Sequence, residues 1–145
     1  MHIENASEVT EELCEALQRL VPQLSAHKTP PTFDELTALV KSEVSMLLVA
    51  REPDEKGPIA GVLCLTVYRV PTGVRSIIED VIVDEGMRKR GIGEALVRAA
   101  IERARGAGAS SVSLTSHPDR EAANRLYQSM GFELRRTNPY LYRLK

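Results

Sequence analysis

The chain has 145 residues, of which 43% are hydrophobic and 27% charged, and this composition predicts one soluble domain with a sizeable core. Its formal net charge of −1 argues against non-specific binding of nucleic acid as the main activity. No apolar run is long enough to span a bilayer, and residues 1–4 are not typical of a signal peptide, so we expect a cytoplasmic protein that binds no membrane.

The first half of the chain predicts two helices followed by two strands. Residues 7–24 carry leucine and valine at helical spacing, and Pro22 is expected to bend or end the last turn of that helix. The Thr-Phe-Asp-Glu sequence at residues 32–35 is a capping-box pattern and predicts the start of a second helix. Residues 46–51 and 59–70 are predicted strands joined by a polar turn.

The second half predicts a strand, a long helix, another strand and another helix. A run of β-branched residues ends at Val83, and a helix follows it. We predict a strand over residues 110–116, a helix over 119–130, and two short strands within 132–145. The order of these elements predicts a mixed sheet with helices on both faces.

The segment between the strand that ends at Val83 and the helix after it is rich in glycine and basic residues. Its sequence is Arg88-Lys89-Arg90-Gly91-Ile92-Gly93. Glycine lets a backbone approach a ligand closely, and the first N–H groups of a helix have no partners within the helix. The helix dipole and three cationic side chains add a positive field at the same place. The segment is therefore predicted to bind a phosphate group.

Two common phosphate-binding turns do not fit these residues. A P-loop needs the sequence G-x-x-x-x-G-K-[ST], and here Ile92 and Gly93 stand where Lys and Ser or Thr are required. A dinucleotide-binding turn needs a third small residue for close packing of the helix on the strand, and Leu96 is too large for that position. The basic charge is local, which suits a phosphorylated small molecule.

Two motifs together resemble those of one enzyme family. Arg88, Gly91 and Gly93 match the pattern [QR]-x-x-G-x-[GA], and residues 123–132 match A-x-x-L-Y-x-x-x-G-F. Both patterns, in this order, resemble the GCN5-related N-acetyltransferases (GNAT superfamily), and the resemblance covers roughly residues 47–145. It implies a single α/β (α+β) domain over residues 1–145, with a mixed, mostly antiparallel central sheet flanked by helices on both faces.

The resemblance also implies acetyl-CoA as acetyl donor and a primary amine as acceptor. In the family, the basic glycine-rich motif binds the pyrophosphate, and backbone groups of the preceding strand bind the pantetheine amides and the oxyanion. An Asn three residues before the motif tyrosine contacts the pantetheine arm. The donor-binding residues implied in this way are Val81, Ile82, Val83, Arg88, Lys89, Arg90, Gly91, Ile92, Gly93, Glu94 and Asn124.

The same resemblance implies a general acid and a general base. Tyr127 occupies the position of the tyrosine that lies near the CoA sulfur and protonates the leaving thiolate; the alternative is an aromatic packed on a helix face. Glu79 is the first choice for the base, directly or through water. Asp80 is its neighbour and, in a regular strand, would face the opposite side. Either acid could instead be a solvated strand-end group. Ser116 is a weaker candidate to line the acceptor cleft.

Three function classes remain open on the sequence. The first is an N-acetyltransferase that moves an acetyl group to a primary amine of a small molecule or peptide, by direct transfer in a ternary complex. The alternative is a regulatory module that binds acyl-CoA without turnover. An interaction domain that uses the basic turn is disfavoured by the balanced charge. The acids Glu79 and Asp80 favour a cationic acceptor, and a homodimer is compatible with the family.

The cysteine and histidine residues predict no metal site. Cys14 and Cys64 lie in a predicted helix and a predicted strand, so we interpret them as buried thiols rather than a disulfide. The three histidines are not spaced as ligands of zinc. His117 precedes Pro118 and is interpreted as a residue at a helix start rather than a base.

Overall fold

The computed structural model describes residues 1–145, which form two compact units, Met1–Leu114 and Thr115–Lys145. The first unit contains five strands: β1 (His2–Asn5), β2 (Ser45–Arg51), β3 (Ile59–Val70), β4 (Gly73–Val83) and β5 (Val112–Ser113). It also contains helices α1 (Glu11–Leu24), α2 (Phe33–Val40) and α3 (Ile92–Gly106), with a 3-10 turn at Glu85–Met87. The second unit contains helix α4 (Glu121–Ser129).

The five strands form one sheet in the order β1-β2-β3-β4-β5. The first three pairings are antiparallel, and only β4 with β5 is parallel. The mixed, mostly antiparallel sheet expected from the sequence is therefore confirmed. Strand β1 was not predicted, since its four residues are too few and too polar to show a strand pattern.

Helices cover both faces of the sheet. On one face, Leu47 and Val49 of β2 belong to a cluster with buried residues of α1 and α2. Side chains alternate along a strand, so the buried Leu48 and Ala50 point to the other face. Helix α3 packs closely on that second face, because a Cβ added at Gly61 of β3 would meet Leu96 Cδ1 at 3.3 Å. The expectation of helices on both faces is confirmed.

The local signals for the helices are largely confirmed. Thr32 and Glu35 form the reciprocal capping box at the start of α2. Helix α1 begins at Glu11, later than predicted, because the Thr10 side chain accepts from the N–H of Leu13 and so caps it. Pro22 lies inside the last turn of α1, and the helix continues to Leu24.

Two predictions about the last third of the chain are wrong. The strand predicted over 110–116 is reduced to Val112–Ser113, and residues 132–145 contain no strand at all. The tail does carry alternating apolar side chains, but a strand also needs a neighbour for its backbone hydrogen bonds. None of the helices is both long enough and apolar enough to cross a membrane.

Arg51 at the end of β2 joins three segments of the first unit. Its guanidinium donates to Glu4 of β1 at 2.9 Å, to both carboxylate oxygens of Glu12 of α1, at 3.0 and 2.7 Å, and to the carbonyl of Gly57 at 3.0 Å. These hydrogen bonds lower the pKa of the Glu4 and Glu12 carboxyls below their ordinary value of 4.5. Arg51 is thus expected to stabilise the packing of β1 and α1 on β2.

Replacing Arg51 with methionine is expected to lower the free energy of unfolding by about 1–2 kcal/mol at pH 7. The loss stays modest because the side chains of Glu4 and Glu12 are 43% and 52% exposed, so solvent screens their charges. A carboxyl whose folded pKa is lowered contributes stability above its unfolded pKa. That contribution disappears as the pH falls through the folded value.

The deficit of Arg51→Met should therefore shrink as the pH falls below 4.5, where the carboxyls become protonated in wild type as well. Urea unfolding at several pH values measures it. Arg69→Met, at an exposed arginine of β3, is the matched control and should change little. A deficit that stays constant from pH 7 to pH 3 would contradict the role given to the two carboxylates.

Candidate active site

Strand β4 contains a bulge at Asp80. The register pairs Cys64 with Glu79 and Val62 with Ile82, so one residue of β3 faces two of β4. Asp80 has a φ of 51°, a left-handed conformation that Asp tolerates better than most residues. The bulge interrupts the alternation that would place the side chains of Glu79 and Asp80 on opposite faces.

The two acids next to the bulge influence the same thiol. Burial raises the pKa of Cys64, and the negative charges of Asp80 and Glu79 raise it further. Both carboxylates are therefore close enough to Cys64 of β3 to influence it electrostatically. Glu79 and Asp80 are exposed, and neither side chain forms an ion pair. Two solvated carboxylates on adjacent residues make this part of β4 strongly acidic, while Cys64 itself is a free, half-buried thiol.

Beyond the bulge, β4 has an open edge. Its pairing with β5 is limited to Ser76 and Ile77, so no strand lies along the outer edge of the residues that follow. The N–H of Asp84 donates to Ala60 of β3 at 2.8 Å. Backbone groups alternate in direction along an antiparallel strand, which turns the N–H groups of Val81 and Val83 to the open edge. These two residues can offer backbone hydrogen bonds to a ligand.

Ile82 is arranged differently from its neighbours. Its carbonyl lies toward β3, since a Cβ added at Gly61 would approach the oxygen of Ile82 to 2.9 Å. Its side chain is buried in the cluster with α1 and α2. The resemblance implies backbone contacts to the donor for all three residues. In the structure, the Ile82 carbonyl faces β3, whereas the N–H groups of Val81 and Val83 face the open edge.

The predicted phosphate-binding turn leads directly from β4 into α3. Arg88, Lys89 and Arg90 are exposed and form no ion pair, and Arg88 donates only to the carbonyl of Val83, at 3.4 Å. Lys89 has a φ of 66° and Gly91 a φ of 78°, so two residues of this short turn are left-handed. Three cations without acidic partners leave a positive field that a phosphorylated ligand can neutralise.

Helix α3 begins at this turn without a side-chain cap. Thr10 and Thr32 cap α1 and α2, whereas the N-cap of α3 is Gly91, which has no side chain to accept a hydrogen bond. A Cβ at Gly91 would meet nothing within 4 Å, and one at Gly93 would meet only Val83 Cγ2, at 3.6 Å. The first N–H groups of α3 therefore have no side-chain acceptor, and the space beside Gly91 is open, which suits an anion site at a helix start.

Glu94 is the one acidic residue in the first turn of α3. Its carboxylate lies 3.5 Å from the guanidinium of Arg98, one turn further along the helix. This ion pair partly neutralises the charge of Glu94. The field at the start of α3 is therefore dominated by the three cations of the preceding turn.

Two residues of α1 hold the start of this turn, and the sequence reasoning missed them. Arg19 donates to Asp84 Oδ2 and to the carbonyl of Ile59, both at 2.9 Å. Gln23 donates to Asp84 Oδ1 at 3.3 Å and accepts from the N–H of Glu85 at 2.8 Å. Burial alone would raise the pKa of Asp84, but the hydrogen bonds from Arg19 and Gln23 bring it below its ordinary value.

Replacing Arg19 with methionine is expected to loosen the turn without unfolding the protein. Two charged hydrogen bonds disappear, and the Arg19 side chain is 45% exposed, so the effect should be local. We expect amide hydrogen exchange over residues 84–91 to accelerate about tenfold, roughly 1.4 kcal/mol of local opening free energy, with much smaller changes in β2 and β3. Hydrogen-exchange mass spectrometry measures both regions in one experiment.

Arg105→Met is the matched control, because Arg105 forms only an exposed ion pair with Glu102, at 3.4 Å. It should leave exchange in the 84–91 turn unchanged. Equal acceleration in both variants, or none with Arg19→Met, would show that α1 does not restrain the turn.

In the second unit, the motif around Tyr127 has a clear structural basis. Gly131 has a φ of 101°, which reverses the chain after α4, and the N–H of Phe132 then donates to the carbonyl of Tyr127 at 3.0 Å. The rings of Tyr127 and Phe132 pack edge to face with centroids 5.8 Å apart. The glycine and phenylalanine of the motif thus fix the position of the tyrosine.

Tyr127 is buried, and its environment keeps the phenol protonated. The residue is 7% exposed, and burial raises its pKa above the ordinary value of 10, with the nearby charge of Arg120 opposing the shift. No hydrogen bond contributes to this shift. A neutral phenol at pH 7 can donate a proton, as a general acid must.

Asn124, one turn before Tyr127, holds the segment that leads into α4. Its side-chain N–H donates to the carbonyl of His117 at 3.0 Å, which leaves the amide oxygen as an acceptor. His117 Nδ1 accepts from the N–H of Asp119 at 3.1 Å, a helix-start role rather than that of a base. Ser116 Oγ is buried without any hydrogen-bond partner. That orphaned hydroxyl marks a place where a water or ligand atom is needed.

The comparisons with known proteins agree with this architecture. The model of the acetyltransferase (GNAT) family matches residues 9–132. The chain belongs to the GNAT family. A putative acetyltransferase from Agrobacterium tumefaciens covers 99% of this chain and all of its own, with a TM-score of 0.81 and 24% identity, and this likeness shows the GNAT fold.

Relatives of the GNAT chain differ in their named acceptors. Glucosamine 6-phosphate N-acetyltransferase 1 of Oryza sativa subsp. japonica is 33% identical over 101 residues, which are 68% of this chain and 59% of that protein. The chain therefore spans less than two thirds of this curated relative. An aminoglycoside acetyltransferase from an uncultured soil metagenomic sample shares the fold, with a TM-score of 0.81 at 20% identity over 99% of this chain and 96% of its own.

Proposed function

We propose that this protein is an acetyl-CoA-dependent N-acetyltransferase that transfers an acetyl group directly to a primary amine within a ternary complex. One observation carries the proposal: three unpaired cations and an uncapped helix start lie at the end of a strand whose outer edge is open. This arrangement offers one site for a pyrophosphate and, next to it, backbone hydrogen bonds for an amide-bearing chain. Acetyl-CoA contains both groups.

The donor would be held by two kinds of contact. The pyrophosphate would accept hydrogen bonds from the backbone of residues 88–93 and pair with the cations of the same turn. The amides of pantetheine would bind the outward backbone groups of Val81 and Val83. The family resemblance implies the amide oxygen of Asn124 as a further acceptor. Residues 1–145 contain no group of three or more His, Cys, Asp or Glu side chains that could hold a metal ion.

The transfer needs a base, a stabilised oxyanion and an acid. A lysine-like amine has a pKa near 10 and arrives as ammonium, so a proton must leave before the nitrogen attacks the thioester carbon. Glu79 takes that proton, directly or through water, with Asp80 as the other candidate. An outward N–H of β4 donates to the oxyanion. Collapse of the intermediate breaks the carbon–sulfur bond, and Tyr127 gives its proton to the departing thiolate. The nitrogen releases its second surplus proton to solvent, and the Tyr127 phenolate takes a proton back from solvent.

For the acceptor, we propose a cationic amine without a phosphate group. The exposed carboxylates of Glu79 and Asp80 attract an ammonium, whereas they would repel a sugar phosphate. The exposed cations of the 88–90 turn are assigned to the donor. A substrate such as the one named for the Oryza relative would need a second cationic site, and the acidic part of β4 does not supply it.

The test is an acetylation screen that detects free CoA thiol. Polyamines, aminoglycosides, amino acids, amine-bearing peptides and glucosamine 6-phosphate are compared at equal concentration. We expect turnover with a cationic amine and little with the phosphosugar. Calorimetric binding of acetyl-CoA without turnover on any amine would favour the alternative, a regulatory module that binds acyl-CoA. The cytoplasmic location stays a prediction.

A further inference from the structure

The sheet face that packs against α1 and α2 changes character along β2, β3 and β4. One row of side chains across the three strands is apolar, 1–4% exposed and part of the core cluster. This row consists of Val49, Val62 and Ile82. In the next row, Leu47 is buried, Cys64 is half-buried and Glu79 is exposed. The apolar core of this face therefore ends within the second row, and the face opens toward Glu79.

A third row on the same face is built around two hydroxyl groups. Ser45 pairs with Thr66, Thr66 pairs with Ile77, and all three residues are half-buried. Ser45 Oγ and Thr66 Oγ1 form a hydrogen bond of 3.1 Å, which places both hydroxyls on one face of the sheet. The N–H of Ser45 donates to Ser42 Oγ at 3.0 Å and so fixes the start of β2. The two hydroxyls are therefore held in a defined position.

The Ser45–Thr66 pair lies beside the proposed base. Side chains two residues apart on a strand share a face, so Thr66 and Cys64 point the same way, and Cys64 lies directly opposite Glu79. Burial is the main reason why the pKa of the Cys64 thiol is raised, and a hydrogen bond from Thr66 and the charge of Glu79 act on it as well. Thr66 and Glu79 thus reach the same sulfur atom from two diagonal positions.

This part of the face offers mainly hydrogen-bond acceptors. Two hydroxyls have four acceptor positions between them, and the bond between Ser45 and Thr66 uses one, so three stay free. The ionised carboxylate of Glu79 can only accept. A complementary ligand therefore carries hydrogen-bond donors at two places, one of them an ammonium for Glu79. At the half-buried, neutral Ser45–Thr66 pair a hydroxyl is easier to desolvate than a second ammonium.

We propose that the acetyl acceptor is a primary amine that also carries a hydroxyl group, with its ammonium at Glu79 and its hydroxyl at the Ser45–Thr66 pair. This inference rests on the proposed function and narrows its acceptor from a cationic amine to a hydroxylated one. Diagonal neighbours on a sheet have Cα atoms roughly 7–8 Å apart, so the nitrogen and the oxygen of the acceptor should be separated by several bonds. Extended 5-amino-1-pentanol has about this span.

A matched pair of amines tests the inference. 5-Amino-1-pentanol and pentylamine differ only in the terminal hydroxyl, and release of free CoA thiol follows the turnover of both. We expect kcat/KM to be about tenfold higher for the amino alcohol, the contribution of a hydrogen bond that water does not replace. Burial of apolar surface alone would favour pentylamine, so the two explanations predict opposite orders.

The double variant Ser45→Ala and Thr66→Val assigns the preference to the two hydroxyls. It removes both hydrogen-bond partners together, so neither is left unpaired and the fold should persist. We expect the preference for the amino alcohol to fall from about tenfold to less than about twofold. Thr66→Ser keeps a hydroxyl at the same place and should retain the preference. The matched control, Ser7→Ala with Thr72→Val, removes two exposed hydroxyls and should also retain it.

The outcomes separate this inference from the proposed function. Equal kcat/KM for the two amines, or a preference that survives in the double variant, would overturn the inference and leave the acetyltransferase in place. If neither amine of the pair is a substrate, the double variant is measured with the amines that turn over in the wider screen. Turnover only of amines without hydroxyls, or of hydroxylated amines with no loss in the double variant, would again overturn the inference. Binding of acetyl-CoA with no turnover of any amine would overturn the proposed function itself.

Discussion

The Tyr127→Phe variant is expected to lose a factor of about 10²–10³ in kcat while it binds acetyl-CoA nearly as well as wild type. The substitution removes only the hydroxyl that is proposed to protonate the leaving thiolate. No hydrogen bond contributes to the pKa shift of that hydroxyl. The phenylalanine ring keeps the edge-to-face contact with Phe132. The free energy of unfolding should therefore change by less than about 0.5 kcal/mol. Steady-state kinetics with a saturating amine measures kcat, and calorimetry measures donor binding.

The pH dependence of kcat distinguishes an acid from a packing residue. A general acid must be protonated, so wild-type kcat should fall as the pH rises through the pKa of Tyr127, which burial places above its ordinary value of 10. The variant should lose this alkaline limb. Tyr68→Phe makes the same change at a half-buried tyrosine of β3 and should leave kcat unaltered. Full activity of Tyr127→Phe would remove Tyr127 from the mechanism.

The features that could be predicted from the sequence are those with a local physical cause. Strand β3 was predicted with its observed bounds, because its β-branched residues and flanking turns are all contiguous. The capping box at Thr32 involves only residues three apart. The uncapped start of α3 follows from Gly91 itself, which has no side chain to donate or accept. In each case the residues that interact are neighbours in the chain.

The features that escaped prediction depend on residues far apart. The hydrogen bonds from Arg19 and Gln23 to Asp84 span more than 60 residues, and no local pattern distinguishes them from other polar groups on a helix. The bulge at Asp80 is a mismatch between two strands, so β4 alone does not reveal it. The strands predicted within residues 132–145 are absent for the opposite reason. The strand-like alternation is present in the sequence, but the segment has no strand to pair with. The hydrophobic period and the strand propensity are properties of one segment of the sequence. The register and the pairing of strands depend on two segments, so the sequence of one of them does not reveal these features.

Glu79 lies beside the bulge in β4. The Glu79→Gln variant is expected to have a kcat/KM about 10²–10³ lower than wild type at pH 7. Glutamine keeps the size and polarity of the side chain but cannot accept a proton from the amine. Glu79 is exposed and forms no ion pair, so the substitution should not disturb folding. An amine with a pKa near 10 loses its own proton as the pH rises. The deficit of the variant should therefore shrink steadily between pH 7 and pH 10, which a series of kcat/KM measurements would follow.

Asp80→Asn separates the two adjacent carboxylates. Asparagine also tolerates the left-handed conformation at φ 51°, so the bulge should survive the change. If Glu79 is the base, Asp80→Asn should weaken binding of a cationic acceptor several-fold and leave the pH profile of kcat unchanged. A pH-dependent loss with Asp80→Asn and none with Glu79→Gln would move the base to Asp80. Glu43→Gln, at an exposed glutamate of the loop before β2, controls for the loss of one negative charge. Because the bulge breaks the alternation between positions 79 and 80, the direction of the side chains does not decide between these two acids, and the two pH profiles do.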